Sequence, residues 1–300
     1  MKKSARVINL TNVSGGCGKS ITAIELSVSF STLGKKVLVV DADMQASATD
    51  SIGKKGIPLS IKELHAMDEE IDRGGQFLNI LKKNLIEKST WDLLDVLMDP
   101  ECIRDVIQKT DIEGVDLLPS SIRLSQADDM LTRDRYRSPN DRISEALEYV
   151  KNDYDFIIID NSPAQSYLST NTMLASDINI VPVKADRKSI KGLILSIQNV
   201  MSAMRANKKE LDVVVLFTMA NLGKDGSVRG KYEKEIIPWF KKRFGDNVFE
   251  TVIPYQKASA QSATLENKKL SYGSSRIGEA YKKLAEEIII RLEKGEKSNG

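Results

Sequence analysis

The stretch Asn12–Ser20 reads N-V-S-G-G-C-G-K-S. Its last three residues, Gly18, Lys19 and Ser20, end it like a phosphate-binding loop. The general pattern G-x-x-x-x-G-K-[ST] would place its first glycine at position 13, where this chain has Val13. The flanking sequence decides how the stretch is read. Arg6–Asn12 is a short β-rich run. Ser20–Leu33 carries apolar residues at Ile21, Ile24, Leu26, Val28 and Phe30 and is closed by Gly34, which predicts a helix and its stop. Lys36–Val40 (K-V-L-V-V) is a buried-type strand ending at Asp41. Strand, loop, helix, strand is a βαβ unit, so the sheet is parallel with a right-handed crossover. In that setting the glycines let successive backbone N–H groups converge at a helix N-terminus. Lys19 can then reach β- and γ-phosphates, and the Ser20 hydroxyl can ligate Mg²⁺. The competing reading, a Gly-rich turn without a ligand, does not explain that context.

The same alternation continues outward. Phe156–Ile159, Ile178–Val183, Val213–Phe217 and Val248–Ile253 are further buried-type strands, and Ser144–Lys151, Ile190–Met204 and Glu233–Phe244 are helical stretches between them. The fold class expected is α/β, a doubly wound, mostly parallel sheet flanked by helices, with ligands at the carboxyl ends of the strands. Residues 57–140 interrupt the pattern and read as a helical insertion with one short strand at Val115–Leu118. Within it, Ser60 with Glu63 and Ser89 with Asp92 resemble capping boxes. One domain is expected over 1–294, followed by a disordered polar tail at 295–300.

Composition excludes more than it selects. The 300 residues are 41% hydrophobic and 29% charged, with a net charge of +2. The charge is unevenly spread: residues 1–183 hold 21 Lys/Arg against 28 Asp/Glu, a net of −7, and residues 184–300 hold 23 against 14, a net of +9. A basic C-terminal part suits an anionic partner, nucleic acid among them, although an ordinary solvated surface gives the same count. Cys17 and Cys102 are the only cysteines and His65 the only histidine, so a zinc site is not expected and a reducing cytoplasm is. The N-terminus runs straight into a strand with no signal-peptide pattern, and no apolar run approaches the roughly 18 residues that span a bilayer.

Taken together, these motifs resemble the ParA/MinD ATPases, whose deviant loop x-K-G-G-x-G-K-[ST] needs no glycine at the position of Val13. Gly15, Gly16, Gly18, Lys19 and Ser20 match it. The family's signature lysine falls at position 14, which is Ser14 here. Asp41–Ser47 (D-A-D-M-Q-A-S) is similar to the D-x-D-P-Q segment, and Phe156–Pro163 (F-I-I-I-D-N-S-P) is similar to a Walker B strand followed by D-x-P-P, with Ser162 in place of one proline. Val181–Leu193, Leu216–Asn221 and Thr251–Gln256 resemble later family segments, the last two framing the adenine base. The resemblance implies ATP and Mg²⁺ as cofactors, with Lys19 and Asp43 catalytic, Asp43 placing the attacking water, and Asp41 shaping the site. It implies nucleotide contacts from Ser14, Gly15, Gly16, Cys17, Gly18, Lys19, Ser20, Ile21, Met219, Pro254 and Gln256, and Mg²⁺ held through Ser20, Asp43 and Asp160. Without the lysine at position 14, slow turnover is expected, with Arg187 and Lys188 as candidate replacement cations.

Within that family the features resemble the DNA-partition branch, ParA/Soj. The last helix, about Arg276–Leu292, has a 3.6-periodic apolar face expected to pack on the sheet and a polar face of mixed charge, unlike a uniformly basic membrane anchor. No paired cysteines or C-terminal tyrosine cluster point to other branches. The resemblance implies an ATP-dependent homodimer, with higher-order assembly left open. It also implies non-specific DNA binding, a centromere-binding ParB-like adaptor, no membrane, and a cytoplasmic, nucleoid-associated location. DNA contacts are expected among Arg229, Lys231, Lys257, Lys268, Lys269, Arg276, Lys282 and Lys283, with Lys257, Lys268, Lys269 and Arg276 foremost. The alternative is a MinD-like positioning ATPase that acts on membrane or protein partners without DNA.

Overall fold

A computed structural model describes residues 4–53, 73, 91–223, 225–255, 269, 271 and 275–298. Among the described residues one sheet holds β1 (Arg6–Leu10), β2 (Val37–Ala42), β3 (Gln108–Lys109), β4 (Val115–Leu118), β5 (Phe156–Asn161), β6 (Ile178–Lys184) and β7 (Val213–Thr218). Their order is β3-β4-β2-β5-β1-β6-β7, and every neighbouring pair is parallel except β3 with β4. The helices are α1 (Lys19–Thr32), α2 (Ser47–Ile52), α3 (Leu93–Met98), α4 (Ile103–Val106), α5 (Ala127–Arg133), α6 (Arg142–Glu148), α7 (Tyr167–Leu174), α8 (Arg187–Asn207), α9 (Glu233–Phe244) and α10 (Arg276–Ser298).

Both faces of the sheet are covered, which is why its strands read as unbroken apolar runs rather than alternating ones. Val37, Val39, Ile158 and Ile180 pack toward α1 and α10, while Leu38, Val40, Ile157 and Ile159 pack toward α3, α5 and α6. On that second side, Val181, Val183 and Phe217 meet α8 and α9. Helix α1 is buried nearly all round, including Thr22, Glu25, Ser27 and Ser29. Its outer side is covered by α10, whose Tyr281 hydroxyl meets Thr22 Oγ1 at 3.1 Å, and by Ser271, whose N–H and hydroxyl donate to Glu25 Oε2 at 2.8 and 2.6 Å.

Two expectations change. Val115–Leu118 is not a strand of a separate insertion: it joins the main sheet beside β2, because its four buried residues match β2 in parallel register. Val248–Ile253 does not form a strand. It touches β7 only at an isolated bridge, Val215 with Val248, and at the Phe249 and Ile253 N–H groups. Between those two contacts the Glu250 and Thr251 N–H groups turn away to the Glu287 carboxylate of α10, at 2.6 and 3.0 Å, and break the ladder. A capping box at the start of α3 joins Asp92 with Asp95: Asp92 accepts from Leu94 N–H while Asp95 accepts from Asp92 N–H. As expected, the apolar face of the last helix packs on the sheet: Ile277, Tyr281, Leu284 and Ile288 share one core with Ile178, Ile180, Val214 and Leu216, and the helix also lies against α1. Ser60, Glu63 and Ser89 lie outside the described residues. Among the described residues no helix is long and apolar enough to cross a membrane.

Candidate functional site

Residues 11–18 leave the carboxyl end of β1 at the middle of the sheet and are fastened on three sides. Asn12, itself buried, donates from Nδ2 to the Pro182 carbonyl of β6 at 2.6 Å and accepts the Ser14 N–H at 2.7 Å through Oδ1. The Val13 N–H donates to Ser196 Oγ of α8 at 3.0 Å. From the next strand over, Thr218 Oγ1 donates to the Cys17 carbonyl at 2.8 Å. Gly16 and Gly18 take φ of +70° and +90°, the left-handed region that side chains avoid, so two of the glycines are required by the turn itself. Gly18 then caps α1, whose N-terminal N–H groups point out of the loop.

Lys19 is nearly buried and folds back over the loop. Its ammonium donates to the carbonyls of Asn12 at 3.0 Å and Ser14 at 3.3 Å. The Cys17 thiol donates to the Ser14 carbonyl, and burial pushes its pKa up despite the nearby ammonium groups of Lys19 and Lys184. The Met219 methyl lies 3.5 Å from where a β-carbon on Gly18 would stand, so Met219 sits beside the loop, and Pro254 bridges to Ala220. Gln256 lies outside the described residues.

The acidic residues line up across the strand ends. Asp41 and Asp160 are register partners on β2 and β5, and both are fully buried. Asp41 is satisfied: its Oδ2 accepts the Thr49 N–H and hydroxyl, each at 2.8 Å, and its Oδ1 accepts the Asp43 N–H at 3.2 Å. Asp43 is half-buried in the following turn, with its carbonyl held by Ser120 Oγ at 2.7 Å and its Oδ1 accepting the Gln45 N–H. Asp160 is different. Both of its carboxylate oxygens are buried without a hydrogen bond of normal geometry. Burial, and secondly the charge of Asp41, push the Asp160 pKa well up, with Ser20 and Lys19 pulling the other way. Burial also raises Asp41, opposed by its bonds from Thr49. An unpartnered buried carboxylate calls for a proton or a cation. Among the described residues no group of three or more acidic, cysteine or histidine side chains could hold a metal alone. A hard cation here fits the pattern of one or two carboxylates completed by water and phosphate oxygens.

Sequence reasoning missed two residues. Gly192 on α8 lies against Ser14 so closely that a β-carbon there would fall 1.8 Å from Ser14 Oγ and 3.4 Å from Asn12 Oδ1. The glycine is therefore a docking point for the start of the loop. Gly192→Ala should force that segment off α8 and lower affinity for ATP about tenfold or more. Overpacking of this kind costs roughly 1–3 kcal/mol. Calorimetric titration beside a thermal melt checks it, and unchanged affinity would mean the loop tolerates the displacement. The second missed residue is Lys184, the last of β6. Its ammonium lies 3.9 Å from the point a β-carbon on Gly16 would occupy. Arg187 and Lys188, the expected cations, are exposed on the first turn of α8.

Of the expected DNA contacts that are described, four make bonds within the fold. Lys269 is half-buried with its ammonium on the Ser51 carbonyl at 2.7 Å, and Arg276 donates to the Gly223 carbonyl. Arg229 pairs with Asp225 and Lys282 with Glu279. Lys257 and Lys268 lie outside the described residues.

The AAA_31 (AAA domain) family matches residues 5–213. The chain is 29% identical over 285 residues to the sporulation initiation inhibitor protein Soj of Bacillus subtilis, covering 94% of this chain and 98% of Soj. It is 27% identical over 290 residues to the chromosome partitioning protein ParA of Caulobacter vibrioides, covering 95% and 94%. Its fold is that of cobyrinic acid a,c-diamide synthase from Mycobacterium smegmatis, solved with a bound ATP analogue and magnesium, with a TM-score of 0.72 at 21% identity over 97% of each chain.

Proposed function

Because the chain belongs to the AAA_31 family of AAA domains and is homologous to the ParA and Soj partition ATPases, we propose that it is an ATP-driven DNA-partition switch. The observation that carries this reading is the loop of residues 11–18 at the head of α1, with Lys19 on one side and the unpartnered Asp160 on the other. In this reading the loop N–H groups and Lys19 bind the β- and γ-phosphates of ATP. Ser20 and, through water, Asp160 hold Mg²⁺, which when bound supplies positive charge to the phosphate oxygens. Asp43, at the mouth of the site, orients a water. The water adds to the γ-phosphorus as the bond to the β,γ-bridging oxygen breaks, giving ADP, inorganic phosphate and a proton. Met219 and Pro254 border the base.

ATP would join two copies, and the dimer would bind DNA without regard to sequence through basic residues of the C-terminal part. A ParB-like adaptor would trigger hydrolysis and release. Such binding rests on phosphate contacts and weakens steeply with salt. The location that follows is the cytoplasm, on the nucleoid. The test is retention of random-sequence duplex by the purified protein with ATP, with ADP and with neither, across a salt series. Binding confined to ATP and falling with salt supports the reading. Equal binding in all three states, or none, would remove the DNA switch and leave an ATPase that positions other cargo.

A further inference from the structure

Position 14 holds a neutral residue whose groups are already committed. The Ser14 N–H is bonded to Asn12, its carbonyl accepts Cys17 and Lys19, and its side chain is wedged against Gly192. A charge over the loop must come from elsewhere. Lys184 ends β6 in register with Thr218 of β7, and residues paired in a parallel sheet project to the same face. Thr218 holds the Cys17 carbonyl, so that face is the one on which the loop lies. The Lys184 ammonium accordingly arrives beside Gly16. The acid nearest in sequence, Asp186, is occupied elsewhere: its two carboxylate oxygens accept the N–H and hydroxyl of Ser189 and cap α8. Among the described residues Lys184 has no ion pair.

We propose that Lys184 supplies, from within the same subunit, the cation that binds the phosphates of a nucleoside triphosphate over Gly15 and Gly16, in place of the lysine that the family motif carries at position 14. This rests on the nucleotide-site reading above. The Ser14 environment and the Lys184 position are then two halves of one exchange: the loop gives up a charged residue at its mouth, and the neighbouring strand end provides one. Lysine suits the role, since a compact ammonium on a flexible stem acts as a point charge on phosphate. Each subunit would complete its own site, so the charge at the phosphates would not wait for a partner.

The test uses the full-length protein in five forms: wild type, Lys184→Gln, Lys184→Arg, Ser14→Lys with Lys184→Gln, and Lys19→Ala. ATP and ADP affinity are measured by calorimetry, hydrolysis with Mg²⁺ by phosphate release, and folding by thermal melting. Lys184→Gln is expected to melt like wild type, to lose more affinity for ATP than for ADP, and to hydrolyse about 10²–10³-fold more slowly, somewhat less than the full effect of a charged finger in phosphoryl transfer. Lys184→Arg should retain most of the rate, and Ser14→Lys should restore part of it to Lys184→Gln. Mixing Lys184→Gln with Lys19→Ala, at nucleotide concentrations that leave Lys19→Ala unoccupied, should recover nothing, because the intact Lys184 then sits in a subunit without nucleotide. Wild-type rates in Lys184→Gln would overturn the proposal while leaving the nucleotide site standing. Recovery on mixing would also overturn it, since the lysine would then act across subunits. Failure of the wild type to bind ATP at all would defeat the site reading itself and this proposal with it.

Discussion

Lys19→Ala is expected to reduce ATP affinity by about 10²-fold or more, since removing one partner of a buried charged contact costs roughly 2–5 kcal/mol. The geometry sharpens the expectation. In the described structure the ammonium is spanned between the Asn12 and Ser14 carbonyls, so it ties the first half of the loop to the helix that follows. Alanine therefore removes both the cation and an internal brace. Calorimetry with ATP and with ADP reads the first loss, and hydrogen exchange at Val13–Gly18 reads the second. If the affinities match wild type, the loop is not where the phosphates bind. A fall in affinity with unchanged exchange would assign Lys19 to the ligand alone.

Asp160→Asn is expected to act in opposite directions on the metal-free fold and on turnover. In the folded protein the Asp160 pKa is raised above its ordinary value, by burial first and Asp41 second. A raised carboxylate binds a proton that the unfolded chain releases. Its contribution to stability is full below the unfolded value near 4 and is lost as pH climbs through the folded value. Without Mg²⁺ and nucleotide, wild type should thus lose stability between about pH 4 and neutrality and above. Asp160→Asn should lose less, and by pH 8 should be the more stable protein by at least ~1.4 kcal/mol, one pKa unit's worth. Some slope should persist from Asp41, which burial also raises. Mg²⁺-dependent hydrolysis should meanwhile drop by about 10² or more, as several kcal/mol of charge stabilisation depends on the metal. Urea melts at pH 5 and pH 8, set beside phosphate release, check both halves. Parallel pH slopes in the two proteins would show that Asp160 carries no raised proton.

The parts of this fold that were legible in the sequence are those fixed by local chemistry. Gly16 and Gly18 announce positive φ, the V-L-V-V and I-I-I runs announce strands covered on both faces, and Asp41 and Asp160 each close such a run. What stayed hidden depends on register or on distant partners. Val115–Leu118 reads as a strand, but its place beside β2 is a matter of pairing. Val248–Ile253 has the composition of a strand and fails to be one because Glu287, 36–37 residues away, takes two of its N–H groups. The Ser14–Gly192 contact joins segments 178 positions apart, and nothing in either segment alone names the other. Lys184 was the nearest miss. A lysine directly after V-P-V marks a strand end at the ligand edge, but only the pairing with Thr218 says which face it takes.

The covering of α1 by the last helix has a consequence for how the chain is made. Thr22 bonds to Tyr281 across 259 positions and Glu25 to Ser271 across 246. The helix that follows the phosphate loop is therefore synthesised between 246 and 259 residues ahead of its outer wall. Until α10 and the segment before it have been made and docked, Ile24, Val28 and Phe30 lack part of their covering and the Glu25 carboxylate lacks its Ser271 donors. Contacts of such long range form late and slowly, and an uncovered apolar helix is a surface for chaperones or for aggregation. A nascent or truncated chain thus carries every residue of the nucleotide loop without the support that shapes it. The loop is fully supported only once α10 is in place, so a product that stops short of that helix would bind nucleotide poorly.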